Sequence, residues 1–357
     1  MTWRETADGS IEDETGKVLL FSKDRFVRDI CLGSCCFICG AQPHSKLFNN
    51  EHVIPNWLIR KYGLVQQALS LPNYQPIKYS KHKIPCCSEC NSLMGRKIEE
   101  LVRNLVNAGS NAIQNYIKAG NGLDIFVWLG LLFLKSHLKD RDYRMSIDER
   151  AGAMKIGDLY DWETLHHVHS VVRCFVNGAG IDQGALGSMF AVGTIERGGE
   201  EFDFADLFAA QTMMIRLGEV ALIATFNDSG AACQAVMPLL KRLEGPLTPM
   251  QARELMVEFA FMNLSLQERP RFYPEYDLAN QTLFHRAIIP KEIRLGKLDY
   301  SLRGKLLRQA FRELLAAGSN SWASPDQVEK TLHDGTFTVL WDEDGKFVRD
   351  GKLRADT

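Results

Sequence analysis

The chain has 357 residues, more than one ordinary small domain holds, so two domains or one domain with a large extension are expected. Hydrophobic residues at 45% and charged residues at 24% are the proportions of a globular chain with a real core, which excludes extended disorder outside the ends. The formal net charge of -2 hides an asymmetry: Lys17 to Arg103 carries thirteen basic against six acidic side chains, a net of +7, the electrostatic footprint expected of a polyanion site.

Taken in chain order, the N-terminus shows no apolar stretch behind a basic start, so no secretory signal and a cytoplasmic location are expected. Residues 1–16 are polar and acidic and read as a loose lead-in. From residue 17 to about 91, short apolar runs separated by Gly, Pro and Asn predict small strands and loops, a compact unit that with the following turns covers 17–105. Ser92 to about Gly120 has Leu93, Ile98, Leu101, Val102, Leu105, Val106 and Ile113 near the 3.6 period and predicts a helix, against which Gly95 and Gly109 count. Residues 106–357 read as a larger helix-rich α+β domain. Its predicted helices include Leu123 to about Lys139 and Thr248 to about Leu266, the second announced by an N-cap followed by proline. The apolar run Ile125–Leu134 is too short for the roughly 20 residues a bilayer needs and reads as a buried helix, so no membrane partner is expected. Met189–Ile195 and Val220–Phe226 predict strands, the second ending in the turn cluster Asn227-Asp228-Ser229-Gly230, and Thr336–Trp341 with Lys346–Arg349 predicts a terminal hairpin. The group His166, His167 and His169 has no nearby Cys or acid to complete a metal site and reads as a helix surface.

Seven of the nine cysteines precede residue 91, and without a secretion signal metal ligation explains them better than a disulfide framework. Cys174 and Cys233 stand alone and read as core residues. Cys36-x-x-Cys39 and Cys87-x-x-Cys90 each place two thiolates at a knuckle, and two knuckles complete a tetrahedral four-thiolate site of the kind that holds structural Zn2+. The 47 residues between the pairs imply a sizeable insertion, and Cys35 and Cys86 stand close enough to exchange with a ligand.

That insertion carries Glu51-His52. In order, Cys36-Phe-Ile-Cys39, then Glu51-His52-Val-Ile-Pro55, then Cys87-Ser-Glu-Cys90-Asn91 resemble the HNH endonucleases of the ββα-metal fold, over about residues 33–105. The resemblance implies a zinc-braced ββα module: Glu51 and His52 on a hairpin, Asn91 on the helix that follows the second knuckle, and a divalent cation between them. Hydrolysis of a phosphodiester needs a base for the attacking water and a cation for the charge that grows on phosphate. His52 suits the first role, and Glu51 and Asn91 suit Mg2+ or Mn2+ as hard oxygen ligands. The position of the family's middle Asn falls at His82, which either orients the His52 loop or is a solvated histidine in the basic run Lys78 to Lys83. Arg60, Lys61, Lys78, Lys81, Lys83, Arg96 and Lys97 are candidate phosphate contacts. On bland readings Glu51 is an exposed carboxylate and Asn91 a helix N-cap; Glu99 and Glu100, about two turns beyond Asn91, read as helix-surface charges, with one of them reaching the metal as the alternative.

The expected activity is DNA cleavage, with RNA left open, and the resemblance extends to modules found in bacterial restriction and antiphage defence. A catalytically silent zinc-dependent nucleic-acid-binding module is the alternative. Residues 106–357 are left with target choice, oligomerisation or a protein partner.

Overall fold

In the computed structural model, which describes residues 3–195, 201–277, 279, 282–316 and 325–349, the chain is a mixed α+β protein whose acidic N-terminus is folded rather than loose. Strands β1 (Trp3–Glu5), β2 (Ile11–Asp13) and β3 (Val18–Leu20) form an antiparallel sheet. Its acids serve as ties. Asp13 closes the β2–β3 turn by accepting from Thr15 N, Thr15 Oγ1 and Lys17 N, and Glu12 accepts from Arg25 at 2.9 Å. The short helix α1 (Lys23–Arg25), capped by Ser22, runs on as a π turn to Cys31.

The central segment is built of the short elements its punctuation predicts: β4 (Phe48–His52), α2 (Asn56–Lys61), the hairpin β5 (Ala68–Ser70) and β6 (Pro76–Lys78), and β7 (Lys83–Cys87). β4 and β7 pair antiparallel from Phe48 opposite Cys87 to His52 opposite Lys83. The helical tract begins at Ser88 and is broken into α3 (Ser88–Met94), α4 (Glu100–Ala108), α5 (Ser110–Tyr116) and α6 (Gly122–Asp140). Gly109 and Gly120 break it because each sits at positive φ, 94° and 87°, where a Cβ is strained. Gly95 opens a π turn that runs to Glu99. From Ile125 to Leu138 every residue of α6 is buried, as expected of a core helix, and the lysine at 135 is carried inside with it.

The rest of the chain supplies α7 (His166–Val172), α8 (Cys174–Asn177), β8 (Gly180–Ile181), β9 (Ser188–Gly193), β10 (Phe202–Leu207), β11 (Thr212–Leu217), β12 (Val220–Thr225), α9 (Ala231–Leu240), α10 (Pro249–Leu264), β13 (Arg271–Asp277), β14 (Thr282–Ile288), α11 (Tyr300–Ala316) and α12 (Pro325–Asp334). Two compact units result, and neither is continuous in sequence. The first holds residues 1–107, 117–185 and 272–287, the second 108–116, 186–271 and 288–357.

In the second unit a four-stranded antiparallel sheet runs in the order β10-β11-β12-β9. The central strands β11 and β12 are buried along their whole length, which explains their unbroken apolar pattern. α10 packs on them; its Thr248 N-cap and Gln251 form a reciprocal capping box, as the Thr-Pro start predicts. Asp228 accepts from Ser188 N, Ser188 Oγ, Gly230 N and Ala232 N, so the N-terminus of α9 is filled by the chain's own carboxylate and the turn cluster is structural.

The expected terminal hairpin is reduced to a single antiparallel bridge, Trp341 with Phe347, flanked by Asp342 N donating to Lys346 O and Val348 N to Leu340 O, without an extended strand on either side. Further backbone groups of the segment are taken by α10 side chains. Glu254 accepts from Val339 N and Leu340 N, and Gln251 donates to Val339 O and Val348 O. Arg303 completes this buried network with bonds to Glu258 at 2.5 Å and Glu254 at 3.2 Å, and to the carbonyls of Gly335 and Phe337.

Arg303→Ala is therefore expected to destabilise the second unit by about 3–5 kcal/mol, the scale for breaking a buried ion pair, because two buried carboxylates lose their cation. Thermal or urea melts of the full chain check this, and a transition indistinguishable from the parent's contradicts it.

Candidate metal centre and the Glu51-His52 strand

Two turns and one helix start bring the four cysteines together. At the first knuckle, Cys36 N donates to Ala41 O and Gly40 N to Cys36 O, with Gly40 at φ 75°. The second knuckle is the start of α3: Cys87 is its N-cap, and the Cys87 sulfur accepts from Cys90 N at 3.5 Å. The Sγ atoms of Cys36, Cys39, Cys87 and Cys90 all lie within 4.8 Å of one another, with Cys39 and Cys87 at 3.7 Å. A tetrahedral ion with metal–sulfur bonds near 2.3 Å requires sulfurs about 3.8 Å apart. The donor set fits a metal such as zinc. Cys86 is also close, 3.8 Å from Cys36, and buried in the β4–β7 pair, while burial and the neighbouring Asp29 push the Cys35 thiol up.

Behind the first knuckle stands α7. His169 Nε2 donates to Phe37 O at 2.9 Å, and Arg173, fully buried, donates to Ile38 O at 2.5 Å and to Val18 O at 2.6 Å. These bonds fix the two peptides between Cys36 and Cys39. Burial lowers Arg173 to about 10, and the thiols of Cys39, Cys90 and Cys36 oppose that fall, so a cation faces the cluster. The expectation that His166, His167 and His169 form a helix surface is corrected here. They do lie on a helix, but His169 is buried and His166 and His167 half-buried, and each donates Nε2 to a carbonyl, of Phe37, Phe21 and Ala185 respectively. The group ties segments together. Cys174 and Cys233 are half-buried, Cys233 packed against the hydrophobic core of the second unit.

The same cysteines join β7 and α3, and β4 lies alongside. Side chains alternate along β4, so Asn49 and Glu51 share one face and His52 points to the other. Asn91, one turn into α3 and thus not its N-cap, donates Nδ2 to Asn49 Oδ1 at 2.8 Å. This places Asn91 beside the strand face that bears Glu51. Glu51 is not an exposed carboxylate: it is 9% exposed, and its Oε1 accepts from Lys135 Nζ at 3.0 Å. The same ammonium donates to His52 O at 2.9 Å and lies 3.8 Å from Glu99 Oε1. Glu99 is therefore an inward-facing acid and not a surface charge. Burial and then Glu51 raise its carboxyl, against Lys135. Glu100 is exposed, as expected.

His52 is half-buried. Burial first, then the cations Lys83, Lys135 and Arg60, hold it below the usual imidazole range, with Glu51 opposing. Its ring is neutral at neutral pH. His82 is not solvated: it is 1% exposed, its Nε2 lies 2.8 Å from Asp140 Oδ1, and its carbonyl accepts from Val53 N at 3.0 Å. The His52 loop is thus held by the backbone of His82, while the ring is engaged by α6.

Of the basic candidates, Arg60, Lys61, Lys78, Lys81, Arg96 and Lys97 are exposed and Lys83 is half-buried opposite His52. Lys61 and Lys78 are committed to Asn107 and Gln66. Arg96 borders a depression on α3 with Ser88, Glu89 and Ser92. A cavity of about 570 Å3 beside the cysteines is lined by Lys17, Arg25, Lys46 and Glu89 among others. Lys135, Asn49 and Asp140 were not singled out from sequence as site residues, and Glu99 was read as a helix-surface charge with contact to the metal only as the alternative. One signal was present for the first: a lysine inside the run Leu131-Leu132-Phe133-Leu134-Lys135 must either break a core helix or bring a buried partner. Comparison of the chain with protein-family models, curated proteins and solved structures finds no match.

Two outcomes are expected. Elemental analysis should find about one tightly held metal ion per chain, and Cys87→Ser should lose it together with stability, because four-thiolate sites contribute directly to folding. Protein purified without chelator that contains no metal contradicts this. The second concerns acid. Burial lowers His167 to about 3 and His285 to about 4, from an ordinary 6.5, and His169 well below the ordinary value. Below pH 6.5 the unfolded chain takes up protons that these folded histidines refuse, so stability falls as pH falls, by about 1.4 kcal/mol per unit for each group, until pH reaches the folded values. Urea melts followed by tryptophan fluorescence should show the midpoint dropping steeply between pH 6.5 and 4. A midpoint as high at pH 5 as at pH 7 would contradict it.

Proposed function

We propose that the first unit is a metal-dependent HNH-type endonuclease that hydrolyses DNA phosphodiester bonds. His52 acts as general base, Glu51 and Asn91 hold a Mg2+ or Mn2+ ion, and zinc in the four-cysteine group braces the elements that carry them. One observation carries this reading. The thiol cluster joins the β4–β7 pair to the start of α3, and Glu51-His52 and Asn91 sit on those joined elements, with Asn91 bonded to the Glu51 face through Asn49.

The chemistry follows from the side chains. A neutral imidazole accepts a proton from water, and the burial and cations that keep His52 neutral suit it to that task at neutral pH. Lys83 and Arg60, close enough to act on His52, would draw a phosphodiester towards it. A hard divalent ion, when bound, supplies the charge that stabilises the phosphorane-like transition state and the leaving oxygen. DNA is the proposed substrate, with RNA as the arm to be compared, and the second unit is left with target choice, self-association or activation.

A second reading has an observation of its own. Lys135 holds the carboxylate that a metal would need, which favours a catalytically silent nucleic-acid-binding zinc module. Incubation of the purified chain with plasmid, single-stranded DNA and RNA, with and without Mg2+ or Mn2+, separates the two.

His52→Ala touches no thiol, so the metal-loaded fold should persist while cleavage falls by roughly 100-fold or more, the usual scale of general-base loss. DNA affinity and its salt dependence should survive, since they come from phosphate contacts that this change leaves in place. If the variant cleaves as fast as the parent, the proposed mechanism fails.

A further inference from the structure

A buried ammonium needs a reason, because an unpaired charge inside a protein costs several kcal/mol. Lys135 is 1% exposed, and the partners its ammonium has found are all oxygens: Glu51 Oε1 at 3.0 Å, His52 O at 2.9 Å and Glu99 Oε1 at 3.8 Å. Two carboxylates and a carbonyl converging on one point make the donor set of a hard cation. They come from β4 and from the π turn that continues α3, elements tied together by the cysteine cluster, whereas the ammonium comes from α6 on a flexible four-carbon stem. The donors are fixed and the occupant is the movable part.

Charge points the same way. One ammonium against two carboxylates leaves an excess of one negative charge, only partly met by Arg103 acting on Glu99. A divalent ion would balance the pair. It would also need shorter contacts, about 2.1 Å for Mg2+ or Mn2+, so it and the ammonium cannot share the point.

We infer that Glu51, Glu99 and the His52 carbonyl form a cation site whose resident occupant is the Lys135 ammonium, and that a divalent ion reaches Glu51 only by displacing it. This makes Glu99 a further ligand and Lys135 an internal competitor that keeps the site shut. The inference rests on reading Glu51 as a cation ligand, but its test does not use cleavage.

The probe is Mn2+ itself, titrated into the full-length, zinc-loaded chain and followed by the electron paramagnetic resonance of free Mn2+. Lys135→Met should bind Mn2+ at least about 10-fold more tightly than the parent, Lys135→Arg should not, and adding Glu51→Gln or Glu99→Gln to Lys135→Met should abolish the gain. Should Lys135→Met fail to fold, Lys135→Gln, whose amide can still donate to Glu51, carries the same comparison. Equal Mn2+ affinity in the parent and the neutral variant overturns the inference, as does a gain that survives removal of both carboxylates. The two proposals fail separately. A Mn2+ gain in a protein that cleaves nothing removes the nuclease and keeps the gated site, while Mg2+-dependent cleavage with an unchanged Mn2+ affinity does the reverse.

Discussion

The convergence of four thiols at Cys36, Cys39, Cys87 and Cys90 is the constraint on which the first unit depends. Its central segment is built of short elements that cannot stand alone. β4 and β7 are five-residue strands and α2 has six residues, lengths at which neither a hairpin nor a helix is stable alone. The cluster sits where the β4–β7 pair ends and α3 begins, so one site sets both the register of the pair and the take-off of the helix. The carbonyls inside the first knuckle are then pinned by His169 and Arg173, more than 130 residues along the chain.

Around that constraint several buried charged and polar side chains draw their partners from distant segments. Lys135 reaches Glu51, His82 reaches Asp140, Arg253 binds Asp203 at 2.6 Å, and Arg303 gathers Glu254 and Glu258. Such pairs add little net stability over apolar packing, but they penalise any arrangement that separates them. Within the first unit they fix α6 against the segment of β4 and β7, and within the second α10 against β10 and α11, where an apolar helix would accept many packings.

For function, the consequence is that the strand end bearing His52 is held from three sides. The cysteine cluster fixes its strand pair, the His82 backbone fixes its loop, and Lys135 fixes its carbonyl. Burial and then the cations Lys83, Lys135 and Arg60 hold the imidazole itself below its ordinary range. The carboxylate beside it is engaged as well: Glu51 accepts from Lys135 of α6.

Local chemistry was legible in the sequence and long-range pairing was not. Two Cys-x-x-Cys pairs point to a four-thiolate site, Thr248-Pro249 to a helix start, and unbroken apolar runs such as Val220–Thr225 to burial, because each signal acts within a few residues. The same locality explains the misreadings. The acids at 12 and 13 looked solvated because Arg25 and the Lys17 backbone were not seen as partners, and the three histidines of α7 looked like surface because their carbonyl acceptors lie elsewhere in the chain. A single boundary near residue 105 was expected, whereas the compact units interleave: 117–185 and 272–287 belong with the first, and 108–116 with the second. Hydrophobic periodicity says that a helix has a face to bury but not against what, so only the tertiary structure could place Lys135 of α6 on Glu51.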